Sequence, residues 1–344
     1  MTRAYNTATT QQNSGGAVAG VTAGKNIVIN GAFDNWQRGT SFNSSTDTSL
    51  YTADRFQCYS GAGSNVTLSR QSSGLTGFQY CARIARTAAS TATNLVWVTH
   101  TVETAESLRL AGQTATLSFW MKTGANFSPT SSAVSVQLLY GTGTNNNILN
   151  GFTGETSIVS TTINPTTTWT RYTFTASVPS TATQLAIVLK HTPTGTAGAA
   201  DYYDITGIQV EAGSVATPFS RAGGTIAGEL AACQRYYSRV QAVSSNEFFG
   251  QGPNNNASGG LMYVTFPVRM RVAPTSIDYS LLFLQQYDNA GNYKTANVTS
   301  ITLSNSGTQS ANCNSTTGST SFTTGGMQLL SQAGLGYLGF NAEL

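Results

Sequence analysis

Carboxylates and histidines are the side chains in this sequence that could carry out catalysis, and they are few. A glycoside hydrolase needs two paired carboxylates, and of the 14 acidic residues Asp54, Asp201, Asp204 and Glu211 could in principle supply them. Their spacing marks no two of them as partners. The two histidines, His100 and His191, lie in different predicted strands without a partner at ligand spacing. The sequence also lacks the HExxH, GxSxG and P-loop motifs, so we predict a protein that is not an enzyme.

The segment NGAFDNWQRGTSF, residues 30–42, brings aromatic rings and charges together and could bind a ligand or close a fold. Phe33 and Trp36 flank Asp34, and Arg38 follows two residues later. We expect this segment to form the first strand and corner of a β-sandwich. Both rings would then lie in the core, and Arg38 would hydrogen-bond across the corner. The prediction assigns the segment to architecture and not to chemistry.

The composition favours β-structure. Only 9% of the 344 residues are charged, whereas the chain has 35 Gly, 15 Tyr and 15 Phe. Aromatic residues and Thr suit strands and Gly suits turns, and long helices would need more Glu, Lys and Leu. The net charge of +3 is spread without any run of like charge. We therefore expect no binding of nucleic acid or of anionic lipid.

Cysteine usage and the N-terminal residues limit the cellular setting. The four cysteines, Cys58, Cys81, Cys233 and Cys313, are scattered and form no CxxC pair, which predicts free buried thiols. The N-terminus lacks a charged and then apolar signal sequence, and no apolar run reaches the ~20 residues that span a bilayer. We expect a protein made in the cytoplasm without a signal peptide and without membrane insertion.

Hydrophobic alternation divides the chain into four parts and predicts an all-β fold. Residues 1–24 are Thr, Gln, Gly and Ala with little to bury, which indicates an extended arm. Residues 25–222 contain about nine short strands separated by turn clusters, the pattern of a jelly-roll β-sandwich. Residues 223–240 predict a helical connector, and residues 241–344 predict a smaller C-terminal β domain.

The predicted connector, TIAGELAACQRYYSRV, carries apolar residues alternately four and three apart. This is heptad spacing, as in coiled coils. Two interpretations fit it equally: the stripe packs on its own sandwich, or it forms a seam between subunits. The candidate interface residues are Ile226, Leu230, Cys233, Tyr237 and Val240.

Four motifs occur in order within residues 25–240: NIVINGAFDNWQRGTSF, YTADRFQ, QVEAGSVATPFSR and GELAACQRYY. Together they resemble a module of tail-fibre and other virion proteins of tailed bacteriophages. The module has an N-G-F-x-x-W-Q-R-G opening, a Y-x-A-D-R-(W/F) strand, a Q-V-E-x-G-x-x-A-T-P-F closing segment and a C-Q-R-Y-Y helix. Phe56 stands here where Trp is more usual.

The jelly-roll part of such virion proteins is similar to the carbohydrate-binding modules of secreted glycosidases. In those modules the N-G-x-F opening and the last strand often meet at a structural calcium ion. Carried over by position, the resemblance implies Asn30, Asp34 and Asp204 as calcium ligands. The alternative is that Asp34 caps a turn and Asp204 holds a loop, because calcium takes six to eight oxygen ligands. No other cofactor is expected.

The resemblance implies a virion structural protein, foremost a tail fibre or adhesin. It would attach to other virion proteins through residues 1–24 and recognise a host surface receptor, such as a polysaccharide, through its β domains. Sugar binding would use exposed rings beside amides, and such residues occur in Asn-rich loops that could also be ordinary solvated loops. The candidates are Phe248, Phe249, Asn254, Asn255, Asn256, Tyr287 and Tyr293.

Other roles remain open at this point. Elongated phage fibres are usually trimeric, so the resemblance implies a homotrimer located in the virion. A capsid-decorating or neck fibre protein would have the same composition. A free, lectin-like carbohydrate-binding module is a third possibility, against which the missing signal peptide and missing catalytic domain argue.

Overall fold

A computed structural model of the protein describes residues 24–44, 47, 49–61, 63, 65–287, 293–318, 322, 323, 325–332 and 334–344, apart from the side chain of Tyr293. The predicted N-terminal arm, except for its last residue, lies outside these ranges, as do residues 288–292. No helix within the described ranges has the length and apolar character needed to cross a membrane.

Two six-stranded antiparallel sheets form the sandwich. The first contains, in spatial order, β1 (Ser41–Ser44), β4 (Val66–Ser72), β5 (Tyr80–Arg86), β12 (Tyr202–Ala212), β7 (Thr114–Thr123) and β10 (Thr170–Ser177). The second contains β2 (Ser49–Tyr51), β3 (Phe56–Ser60), β6 (Val96–Val102), β11 (Gln184–His191), β8 (Val134–Gly141) and β9 (Thr156–Ile163). Neighbours in each sheet are mostly distant in sequence, as in a jelly roll.

Alternation along the strands places the core between the two sheets. On β7, Leu117, Phe119 and Met121 are fully buried, while the residues between them face outward. Strand β11 is buried on both faces, because a second apolar cluster that includes Phe152 and Val188 covers its outer side. Fully burying one such side chain contributes roughly 1.5–3 kcal/mol, so these alternating positions fix which face of each strand points inward.

The remaining strands form the C-terminal β region. Six of them close into a barrel in the order β14 (Phe248–Asn256), β15 (Gly259–Thr265), β19 (Ser310–Thr317), β18 (Tyr293–Ser306), β17 (Leu282–Tyr287) and β20 (Gly326–Ser331). The other three form a small sheet in the order β13 (Tyr237–Gln241), β21 (Tyr337–Asn341) and β16 (Ser276–Ser280). The predicted fold class, a jelly-roll sandwich followed by a short helix and a smaller β domain, is confirmed.

The described ranges contain two α-helices, α1 (Thr104–Ser107) and α2 (Ile226–Gln234). The side chain of Thr225 caps α2 by accepting a hydrogen bond from the backbone N–H of Gly228. The prediction that the helix continues to Val240 is wrong, because the chain becomes strand β13 at Tyr237. Every residue of β13 pairs with β21, and this pairing outweighs the helical spacing of the apolar residues.

The predicted interface stripe is therefore divided between a helix and a strand. Cys233 and Tyr237 are buried within their own chain, and Leu230 is half-buried. Ile226 and Val240, on different elements, are exposed. These five residues do not form one continuous helical seam, and contact with a second copy stays a prediction.

A buried joint connects the sandwich to the C-terminal β region. Arg38 lies over the Tyr237 ring, 3.6 Å from its centroid, and its guanidinium is 3.3 Å from a carboxylate oxygen of Glu343. Arg55 lies over the Tyr236 ring, also 3.6 Å from its centroid, and pairs with the same carboxylate. Two arginines of the sandwich thus share one carboxylate of the C-terminal region.

Gln37 completes this joint by acting as a short addition to the edge of β13. Its side-chain amide donates to the carbonyl oxygen of Tyr237 at 2.7 Å, and its amide oxygen accepts from the backbone N–H of Arg239 at 3.2 Å. The same amide nitrogen donates to Asp54 at 2.8 Å. The backbone groups at this part of the edge of β13 therefore have partners without another strand beside them.

The predictions for residues 30–42 can now be compared with the structure. Phe33 and Trp36 are buried in the sandwich core, as predicted. Arg38 does not hydrogen-bond across the corner of the sandwich; it reaches the C-terminal region instead. The reason lies in Tyr237 and Glu343, which offer a ring and a carboxylate that local sequence cannot reveal. The segment is architectural, and it holds two β regions together.

Candidate functional site

A groove of about 600 Å³ crosses the outside of the barrel. It runs over strands β15, β14, β20 and β17, next to the turn that precedes β20. Its lining residues are Gln251, Gly252, Pro253, Tyr263, Gln285, Tyr287, Gly325, Gly326, Met327 and Gln328. The glycines have no side chain beyond a hydrogen atom, and they leave room between the tyrosines and glutamines of the lining.

Strand register aligns four outward-facing side chains in one row. Gln251 pairs with Tyr263 on one side and with Gln328 on the other, and Gln328 pairs with Gln285. Directly paired residues of antiparallel strands point to the same face of the sheet. Their neighbours along the strands, such as Met327, point inward and are buried. The groove row (Tyr263, Gln251, Gln328 and Gln285) is therefore fixed by backbone pairing.

The next outward row supplies the open part of the groove. Pro253 pairs with Gly326, and Tyr287 follows the last residue of β17 that pairs with β20. A Cβ atom added to Gly326 would have no other atom within 4 Å, so this position opens onto free space. Tyr263 and Tyr287 are 52% and 61% exposed and stand on β15 and β17, at opposite sides of the groove.

The chemistry of the groove suits a neutral, polyhydroxylated ligand. None of the described residues that line it carries a charge. Glutamine amides both donate and accept hydrogen bonds, as hydroxyl groups do. Tyrosine rings give broad apolar faces with a polar end, and they lose little conformational entropy on binding. The described lining contains no carboxylate, histidine, lysine or cysteine, and its two phenols are the only ionisable groups among the described lining residues.

Two of the seven predicted ligand-binding residues are the phenylalanines at the start of β14. Phe248 is 54% exposed but does not line the groove. Phe249 is buried and belongs to the barrel core. Alternation along the strand separates them, because consecutive residues point to opposite faces.

The three predicted asparagines build the end of the hairpin between β14 and β15. Asn256 accepts from the backbone N–H of Ser258 at 2.8 Å, and Asn254 donates to the backbone of Asn256. Asn255 donates to Asn314 at 2.9 Å. Their amides thus support a turn beside the groove, and none of the three is among its lining residues.

The two predicted tyrosines are backbone partners in the pairing of β17 with β18. Tyr287 lines the groove, and Tyr293 is its backbone partner, with a side chain outside the described part of the structure. Sequence reasoning missed Tyr263 and the three glutamines. The available signal was a glutamine or tyrosine at an outward position of each of four strands, but only the pairing register brings those positions together.

The predicted calcium ligands do not fit a shared site. Asp204 accepts two hydrogen bonds from Arg83, at 2.8 and 3.0 Å, and a lysine ammonium lies 3.7 Å away. Asp34 pairs with Arg221 at 2.7 Å. Asn30 uses its amide to bind the backbone around Asn35. Among the described residues there is no group of three His, Cys, Asp or Glu that could hold a metal ion.

The carboxylates considered above for glycoside hydrolysis are all buried and held by neighbouring groups. Asp54 accepts from Gln37, Asp201 from Arg86, Asp204 from Arg83, and Glu211 from Thr217. Burial raises the pKa of Asp54 to about 6, although the charge of Arg38 and hydrogen bonds from Gln37 act in the opposite direction. Asp54 lies at the joint, where its contacts are structural.

Both histidines are buried and held in the neutral form. Burial, and secondarily the charge of Arg55, lowers the pKa of His100 to about 3. Burial and Arg86 lower the pKa of His191 to about 3. Neither histidine lines the groove on the barrel. They are acid-sensitive parts of the core.

Comparisons with known proteins give a limited result. No protein-family model and no curated protein sequence matches the chain. A structure described as a CBM4 is similar at 19% identity over 54% of this chain and 99% of that one, with a TM-score of 0.32. The CBM22-1 xylan-binding domain of Paenibacillus barcinonensis Xyn10C is similar at 12% identity over 57% and 100%, with a TM-score of 0.32.

A tailspike protein, tailspike protein 4 of bacteriophage CBA120, is also similar in part. The identity is 14% over 55% of this chain and 21% of the tailspike, with a TM-score of 0.32. At these sequence identities and TM-scores, the structural similarities give no information about the ligand or the activity of this chain. The fold assignment rests on the sheets described above.

Proposed function

We propose that this chain is a non-enzymatic virion protein of a tailed bacteriophage that binds neutral glycans of a host surface in the groove on its barrel. The observation that carries the binding part is the groove between exposed Tyr263 and Tyr287, whose described lining residues are all uncharged. Exposed rings beside amide groups favour stacking on a sugar face combined with hydrogen bonds to its hydroxyls.

The virion part of the proposal is supported by the way the resembling motifs meet. Arg38 of the opening motif, Arg55 of the Y-x-A-D-R-F motif and Tyr236 and Tyr237 of the C-Q-R-Y-Y motif all contribute to one joint. Motifs that share one contact network behave as one architectural unit and not as separate chance matches. In this proposal residues 1–24 attach the chain to other virion proteins.

Several copies acting together would strengthen attachment, because a second binding event on one particle is intramolecular. We include the homotrimer of phage fibres in the proposal. Its contact surface has to differ from a continuous helical seam over residues 226–240, since α2 ends at Gln234 and β13 begins at Tyr237. Light scattering on the purified full chain measures the mass directly.

The test is binding of the full chain to immobilised neutral and acidic bacterial surface polysaccharides. We expect at least one neutral polysaccharide to be retained. Tyr287→Ala and Tyr263→Ala should each weaken binding at least about tenfold, as truncation of an aromatic side chain at the centre of an interface does. Phe248→Ala is the matched control, because Phe248 is similarly exposed but does not line the groove.

Two outcomes would contradict the proposal. Exclusive retention of acidic polysaccharides would be incompatible with the uncharged lining of the groove. Equal binding by the wild type and both tyrosine variants would place the glycan site elsewhere. A chain that binds no surface polysaccharide but assembles on capsids would favour the decorating or neck-fibre role.

A further inference from the structure

We infer that the groove binds an extended glycan laid across the strands, with one sugar unit over each of four strands. This inference rests on the proposed function and specifies its ligand. It commits to a neutral chain whose advance per unit stays close to the distance between neighbouring strands.

The argument begins with the geometry of the groove row. Tyr263, Gln251, Gln328 and Gln285 lie on four consecutive strands and are joined by direct register pairs. The backbones of neighbouring strands lie about 4.8 Å apart, so the backbone positions of the row span roughly 14 Å from end to end. One unit of an extended, equatorially linked sugar chain is close to one such step in length.

The side chains along the row also repeat chemically. Three successive strands present the same group, a primary amide, and the fourth presents an aromatic ring. A repeating ligand can satisfy a repeating row, because each unit brings its hydroxyls to the next amide. The outward row beside it, which contains Pro253, Gly326 and Tyr287, provides space and a second ring at the far side.

The charge of the groove and the conformation of the sugar chain restrict the class of ligand further. The described lining has no charged group to compensate an acidic sugar, so a neutral chain fits better. The inference commits to an extended chain, whose advance per unit is close to the step of the row. An extended β-linked oligosaccharide of about four units matches the four strand positions.

The experiment is a calorimetric titration of the full chain. The ligands are cello-oligosaccharides, xylo-oligosaccharides and manno-oligosaccharides of one to six units. Malto-oligosaccharides are the matched control for the cellulose series, since both consist of glucose but differ in chain shape. For at least one extended series we expect affinity to rise about fivefold or more per unit up to four units and then to level off. A net hydrogen bond of about 1 kcal/mol gives a factor of that size.

Variants locate the effect on individual strands. Gln328→Ala, in the middle of the row, should reduce tetrasaccharide affinity about tenfold. Gln285→Ala, at its end, should remove the gain from one terminal unit and leave shorter ligands unaffected. Gln309→Ala is the control, because Gln309 is exposed in the turn that precedes β19 and lies outside the groove lining. A merely structural effect would not depend on ligand length.

The outcomes separate this inference from the proposed function. Binding that is equally strong for one and for four units, or equally strong for the malto series, would overturn the inference and leave glycan binding in place. Polysaccharide binding abolished by Tyr287→Ala, with no extended oligosaccharide bound, would also overturn it. Absence of binding to any polysaccharide or oligosaccharide would overturn both.

Discussion

At the scale of single residues, Glu343 brings one carboxylate between Arg38 and Arg55. Its side chain is 4% exposed, and that of Arg55 is 1% exposed. Burial alone would lower the pKa of Arg55, but the Glu343 carboxylate raises it above the usual value, so the guanidinium stays charged. The joint is therefore sensitive to any change that removes this carboxylate.

We expect Glu343→Gln to lower the free energy of unfolding by about 3 kcal/mol, because it leaves the buried charge of Arg55 without its counter-charge. Urea denaturation measures the difference. Glu106→Gln is the matched control, since Glu106 pairs with Arg109 on the exposed surface, where a pair contributes less than about 1 kcal/mol. Equal effects of the two substitutions would show that the joint is not a buried ion pair.

His191 gives the residue-scale prediction for pH. Its folded-state pKa of about 3 lies below its unfolded value of 6.5, so its contribution to stability is complete above pH 6.5 and is lost as the pH falls towards 3. The expected loss is about 2 kcal/mol at pH 5. The pKa of Asp54 is raised from 3.8 to about 6, so its contribution to stability has the opposite sign. Between these two pH values, its contribution falls as the pH rises.

Replacement of His191 by Leu should therefore flatten the pH profile of stability. Between pH 7 and pH 5 we expect His191→Leu to lose about 2 kcal/mol less than the wild type loses, whatever its stability at pH 7. Denaturant midpoints at both pH values provide the comparison. Parallel profiles for the two proteins would mean that His191 titrates normally in the folded state.

At the scale of elements, strand β13 depends on one side chain from another part of the fold. Gln37→Ala removes the partners of the Tyr237 carbonyl and the Arg239 N–H and one donor to Asp54. We expect a loss of about 2 kcal/mol in unfolding free energy, since buried polar groups without partners are costly.

Thermal and urea unfolding measure the stability of Gln37→Ala and of the control variant Gln113→Ala. Gln113 is exposed, and its amide donates only to the carbonyl of Arg109, so its replacement should change stability by less than about 0.5 kcal/mol. If the two variants were equally stable, the side chain of Gln37 would not act as an edge partner of β13.

The same element shows what local sequence can and cannot predict. On β7, apolar residues recur at every second position, a pattern that a short window of sequence contains and that predicts a strand. Residues 237–240 have spacing that fits a helix, yet they form a strand because β21, about a hundred residues later, pairs with them. Pairing between distant segments has no signature in a short window.

The groove follows the same rule. Tyr287 was predicted because it lies beside an Asn-rich hairpin, which is a local feature. Gln251, Gln285 and Gln328 could not be found, because their alignment depends on the register of three strands that are distant in sequence. The ion pair of Asp34 could not be predicted for a related reason: its partner, Arg221, is remote in sequence.

At the scale of the whole molecule, we propose that the barrel groove is the glycan-binding site of a chain whose two β regions are held by a buried joint. Gly326 offers a direct way to close the groove, because a side chain there enters open space. A Phe at this strand position is also compatible with β-structure, so the fold should be retained.

The most direct measurement is the affinity of Gly326→Phe for the polysaccharide that the wild type retains, together with its melting temperature. Gly318→Phe is the matched control, since a Cβ at Gly318 also has no atom within 4 Å but lies outside the groove lining. We predict that Gly326→Phe melts at or above the wild-type temperature and binds at least about tenfold more weakly, while Gly318→Phe binds normally. Undiminished binding by a folded Gly326→Phe would contradict the claim that this groove is the site.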